Sequence, residues 1–156
     1  MLMPQVPRSA LWLGLAGLIP FAAGALAVWG LPPAPAGFAR FIQMAYGACI
    51  LSFLGAVHWG LAMAGTGTGT PGDSAAGLTW KRAGGATVPA LLGWIALVMT
   101  PLPGMILLIA SFAGLFWADV QAVRLGQAPT WYLPLRRLLT IGVVVCLGIS
   151  ALRVVL

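Results

Sequence analysis

The chain has 156 residues, 61% of them hydrophobic and 6% charged, with a formal net charge of +6 and a mean hydropathy of +1.02. A water-soluble domain carries roughly a quarter charged residues, so this composition excludes a water-facing surface and makes lipid the main solvent. The basic residues are spread between apolar runs, which excludes nucleic acid as their partner and ties the charge to membrane topology.

At about 20 apolar residues per span, the chain reads as a single all-α domain, a bundle of five transmembrane helices. Arg8 precedes the first apolar run, 10–29. A cleaved signal peptide is the alternative there, since Arg8 supplies a basic flank and Ala25 with Ala27 resembles a cleavage site. The run is long for that role and Pro20 interrupts it, so it reads as an uncleaved span. Pro32, Pro33 and Pro35 make 31–37 a stiff connection, and the second span covers about 38–63. On it Ala48, Ser52, Ala56 and Gly60 recur every fourth residue, a small-residue row suited to close helix packing. Gly47, Leu51, Leu54 with Gly55, and His58 form the opposite side. On this reading Ala56→Leu or Ser52→Leu harms the fold more than Leu51→Ala.

Residues 64–80 are rich in Gly and Thr, with no Gly-Lys-Ser/Thr to make a phosphate loop, and read as a flexible loop. The third span is 83–100, and Pro101 to Gly104 reads as a tight turn into the fourth, 105–123. Ala110, Gly114 and Ala118 form a second small row. After a short loop Pro134 opens the fifth span, 134–155, with Gly142, Cys146 and Ser150 as the third row. Cys49 and Cys146 fall inside apolar runs and read as small buried residues rather than a disulfide.

Five spans put Arg8, Lys81, Arg82, Arg124, Arg136 and Arg137 on one side, with Arg40 and Arg153 on the other. The basic excess makes the first side cytoplasmic, the N-terminus inside and the C-terminus periplasmic. That topology brings His58, Asp119 and Arg136 to one level near the cytoplasmic boundary, together with Trp59, Trp131 and Tyr132. Arg136 and Arg137 in the first turn of a helix face an unfavourable dipole, and Asp119 is the anion within reach. Two readings stay open. The three polar residues hold an acidic or quinone-like head group, or they brace helix ends while the tryptophans form an interfacial belt. One histidine and one aspartate are too few for an all-protein metal site, and no catalytic serine constellation is visible.

The run YGACILSFLGAVHWG at 46–60, Asp119 after Phe116-Trp117, and Trp131 to Arg136 with Leu139-Thr140 resemble the domain of unknown function 3429, or transmembrane protein 69-like, family. Leu18-Ile19-Pro20-Phe21 fits as well. The resemblance implies a small polytopic protein of bacterial inner membranes or of mitochondria, and brings no activity with it. The expected role is an inner-membrane structural or accessory subunit, not an enzyme, that packs against a larger membrane complex or a second copy. A lipid- or quinone-binding protein with its head-group site at the cytoplasmic boundary is the alternative, and a small carrier the next. No cofactor is expected beyond a bound lipid or quinone.

Overall fold

The computed structural model describes residues 6–63 and 80–156; the Gly-Thr segment lies outside the described residues. Among them every regular element is helical: α1 (Arg8–Ala16), α2 (Ile19–Gly30), α3 (Pro33–Met63), α4 (Trp80–Val98), α5 (Pro101–Arg124) and α6 (Tyr132–Val155). Four described segments are long and apolar enough to cross a membrane: Arg8–Gly30, Pro33–Met63, Pro101–Arg124 and Tyr132–Val155. The apolar part of α4, Arg82–Val98, is shorter.

Proline chemistry sets most of the helix boundaries. The first span is two helices because Pro20 has no N–H for the Ala16 carbonyl and its ring crowds that turn. The chain tightens there into a bond from Leu18 N–H to the Leu15 carbonyl at 3.0 Å. Elsewhere prolines start helices where connections were expected. Pro33 and Pro35, then Pro101 and Pro103, occupy first-turn positions whose N–H groups have no intrahelical partner in any case, so α3 and α5 begin earlier than 38 and 105. Likewise α6 begins at Tyr132, which moves Arg136 and Arg137 out of the first turn. α5 ends in a Schellman arrangement. Gly126 has φ +69, Gln127 N–H reaches the Ala122 carbonyl at 2.8 Å, and Gly126 N–H reaches that of Val123 at 3.0 Å.

Residue pairs in contact give the helix directions. On α3 and α5, Met44 meets Gly104, Gly47 meets Leu108, and His58 meets Asp119, so these two helices run parallel. α4 runs against α3, with Gly55 on Ala86 and Pro89, and Gly93 on Ala48. α1 and α2 run along α6 in the same direction: Gly14 faces Leu135 and Leu139, Gly142 faces Leu18, and the Trp29 indole donates to the Ile149 carbonyl at 3.0 Å. The core is built from Phe21, Met44, Leu51, Met105, Leu108, Phe112 and Leu147.

The small-residue rows divide differently from their sequence reading. Ala48 is buried against Gly93, but Ser52, Ala56 and Gly60 are exposed, as are Ala110 and Gly114. Close approach is made instead by Gly55, Gly93 and Gly104, where a backbone of the next helix takes the place of a side chain. The α3 face that packs within the chain is the one bearing Gly47, Leu51 and Leu54. Leu51 is fully buried, so the expected order of effects reverses. Leu51→Ala is now expected to cost about 2–5 kcal/mol, and Ala56→Leu little, which melting of both variants in mild detergent checks. Of the α6 row, Gly142 and Cys146 are half-buried and Ser150 is buried. Cys49 is exposed on the outside of α3, and both cysteines are free.

Candidate functional site: a buried aspartate beside an apolar cleft

The core stripe of α5 passes through Leu108, Phe112 and Leu115 and reaches Asp119 one turn later. Helical periodicity therefore carries a carboxylate into the interior, where it is 1% exposed. The same rule brings it its partners. His58 extends the α3 stripe one turn beyond Leu54, and Tyr132, Arg136, Thr140 and Val143 follow one face of α6.

Both carboxylate oxygens are used. Arg136 Nε donates to Asp119 Oδ2 at 2.7 Å, and His58 Nε2 lies 2.9 Å from Oδ1. A carboxylate only accepts, so His58 donates from Nε2 whichever charge state the ring has. The Tyr132 hydroxyl makes a longer approach to Oδ1, 3.4 Å, and its ring lies 6.0 Å from the Arg136 guanidinium carbon. Taking two charges out of water is costly, and only the short, hydrogen-bonded geometry returns that cost. His58 keeps 19% of its side chain exposed and is the edge of the network.

Of the sequence-predicted site residues, His58, Asp119, Tyr132 and Arg136 thus meet directly, across α3, α5 and α6. Trp131 stands edge-on to Tyr132 at 6.2 Å, outside the carboxylate's reach. Trp59 is exposed on the outer face of α3, and Trp80 and Trp117 are exposed at the same end of the bundle.

Beside this network lies a cleft of about 480 Å³ between α1, α2, α3, α5 and α6. Its walls are almost wholly apolar, and the aromatic residues Phe21, Tyr46, Phe53, Phe112 and Tyr132 are among those that line it. α1 forms one wall and has no buried residue of its own. Arg136 and Thr140 of α6 are among its lining residues, and one buried atom of each, Nη2 and Oγ1, has no hydrogen-bond partner among the described residues. Arg136 is 5% exposed and Thr140 7%, and buried polar atoms left unpaired are uncommon because each costs free energy.

Sequence reasoning gave no role to three polar residues, although Tyr46 and Thr140 fall within the runs that carry the family resemblance. Thr140 lies four residues after Arg136, a spacing that places it on the same face. Gln43 is buried on the stripe of Gly47 and Leu51, and its Nε2 donates to the Phe21 carbonyl at 2.8 Å. Tyr46 donates to the Gly17 carbonyl at 3.2 Å and holds the break between α1 and α2. Each interrupts an apolar run at core spacing, which is the signal that marks it. Tyr46→Phe removes one such bond and is expected to lower stability by about 0.5–1.5 kcal/mol, read as a modest fall in melting temperature.

A family model described as protein of unknown function (DUF3429) matches residues 6–152, which takes in the cleft and the whole polar network. The chain belongs to the DUF3429 family. It is similar to transmembrane protein 69 of Xenopus tropicalis, with 38% identity over 139 residues, 88% of this chain and 51% of the frog protein. Transmembrane protein 69 of Mus musculus is 34% identical over 94 residues, 60% of this chain and 35% of the mouse protein. This DUF3429 chain spans about half the length or less of these relatives. No solved structure matches it. With this family membership and its apolar helices, the chain is a multi-pass membrane protein.

Proposed function

We propose that the protein is a five-span binding protein, not an enzyme, that holds one amphipathic lipid- or quinone-like molecule in the cleft. The observation that carries this is an apolar cavity lined by Arg136 and Thr140, each of which keeps a buried polar atom without a partner among the described residues. Ligand pockets of roughly 300–1,000 Å³ combine mostly apolar walls with a few convergent polar groups. The apolar body would lie along α1, α3 and α6, and the head group would meet Arg136 and Thr140. Native mass spectrometry of the chain purified in mild detergent tests this. A retained lipid or quinone at one copy per chain is expected, and its loss in Val57→Trp, which fills the cleft wall. A chain that carries no such molecule from the membrane would count against the reading.

A fifth span is favoured by the course of α4. It runs antiparallel to α3 from the level of Gly55 to that of Ala48, and so returns the chain across the bundle. With five spans the basic excess sets the N-terminus in the cytoplasm and the C-terminus in the periplasm, in the inner membrane of a bacterium. Cysteines placed at Gln127 and Leu156, after replacement of Cys49 and Cys146, are expected to label from opposite sides with an impermeant reagent. Labelling of both from one side would remove this topology.

An accessory role is the second reading, favoured by the exposed row Ser52, Ala56 and Gly60 on α3. Such a row suits a partner helix or a second copy of the chain. Co-purification with a membrane-protein partner that Ala56→Leu disrupts would distinguish this reading from the binding proposal.

A further inference from the structure

Resting on the proposal that the cleft holds an amphiphile, the polar groups of the cleft narrow the chemistry of its head. Arg136 is the one charged side chain among the described residues that line the cleft. Its charge is already met by Asp119, whose Oδ2 lies 2.7 Å from Nε. An anionic head group would therefore add an unbalanced negative charge to a low-dielectric space, where that is most costly. A neutral head adds none.

The hydrogen-bond inventory points the same way. The Tyr46 hydroxyl is engaged by the Gly17 carbonyl and the Tyr132 hydroxyl approaches Asp119. What remains is the Arg136 Nη2 group, which only donates, and the Thr140 hydroxyl, which donates or accepts. They stand one helical turn apart on one face of α6. A carbonyl oxygen satisfies both as acceptor. The walls add a shape term, since five aromatic residues, Phe21, Tyr46, Phe53, Phe112 and Tyr132, are among those that line the cleft. Aromatic walls favour a flat π-system by offset or edge contacts, and a branched glycerol ester gains less from them.

We infer that the cleft binds the ring of a quinone, a flat neutral head carrying carbonyl oxygens, with one carbonyl accepting from Arg136 Nη2 and Thr140 Oγ1. The ring lies in the cavity and its isoprenoid tail leaves along α1, the helix that buries no residue of its own.

The test uses the full chain in phosphatidylcholine nanodiscs, titrated with decylubiquinone, dioctanoylglycerol and oleate, with empty nanodiscs subtracted. Decylubiquinone is expected to saturate at one per chain, and oleate to bind at least about tenfold more weakly. Thr140→Val keeps the side-chain shape and removes a hydroxyl that has no partner. It should leave the ligand-free melting temperature unchanged or raised, because the hydroxyl is unpaired there, and weaken decylubiquinone about tenfold, the worth of one hydrogen bond to a charged or buried site. A merely structural threonine would lower melting without that selective loss. Unchanged decylubiquinone affinity in Thr140→Val overturns the inference. So does oleate or dioctanoylglycerol binding as tightly as decylubiquinone, and in that case the binding proposal itself stands. Failure of all three probes to bind, or binding unchanged by Val57→Trp, overturns the proposal and the inference together.

Discussion

Replacing Asp119 by asparagine is expected to destabilise the protein strongly, by about 3–5 kcal/mol where the site is dry. The reason is charge, since the two side chains are nearly the same size. Asp119→Asn leaves the Arg136 guanidinium, itself only 5% exposed, without its counter-ion. It also turns an amide N–H₂ either toward Arg136 Nε, which can only donate, or toward His58 Nε2, which accepts only in the Nδ1–H tautomer. Arg136→Gln on the same background removes the orphaned cation and should recover part of the loss. Thermal melting in mild detergent of the two single variants and the double gives the coupling directly, and for groups in contact a coupling above about 1 kcal/mol is expected. His58→Ala should cost less, since His58 is partly exposed and gives up one hydrogen bond. Additive losses in the double variant would mean that the pair contributes nothing as a pair.

The second large effect is steric. At Gly104 an added methyl group would meet the backbone carbonyl of Ala96 and the end of Met44. Methionine can move aside, but the carbonyl belongs to α4 and cannot shift alone. Gly104→Ala is therefore expected to cost about 1–3 kcal/mol by forcing α4 and α5 apart, and Gly104→Leu should prevent folding. Gly114 on the same helix is the control, because nothing lies within 4 Å of a methyl group there. Gly114→Ala should be neutral or gain up to about 1 kcal/mol from helix propensity. Equal melting of Gly104→Ala and Gly114→Ala would show that the α4–α5 crossing tolerates a wider spacing than its geometry implies.

These two substitutions also separate what each level of description supplies. Sequence was sufficient for the class, because 6% charged residues cannot cover a protein in water. It was sufficient too for bringing His58, Asp119 and Arg136 to one level, through the alternation of spans, while their direct contact is a fact of the tertiary structure. Charge scarcity sharpened that inference, because an interior with one aspartate offers a buried arginine few partners. Helix ends were less legible. A proline read in isolation looks like a turn, and only the surrounding chain shows whether it stands after a helix or in its first turn, as Pro33 and Pro101 do. The small-residue rows were the least legible feature. Spacing by four puts Ala48, Ser52, Ala56 and Gly60 on one face, but it says nothing about which face meets another helix. In a membrane the lipid-facing side is apolar as well, and here it carries the small residues Ser52, Ala56 and Gly60, so composition does not mark it. The tertiary structure decided that the close crossings belong to Gly55, Gly93 and Gly104. It decided as well that Arg136 and Thr140 border a cavity, a property of the space between helices that no single helix encodes.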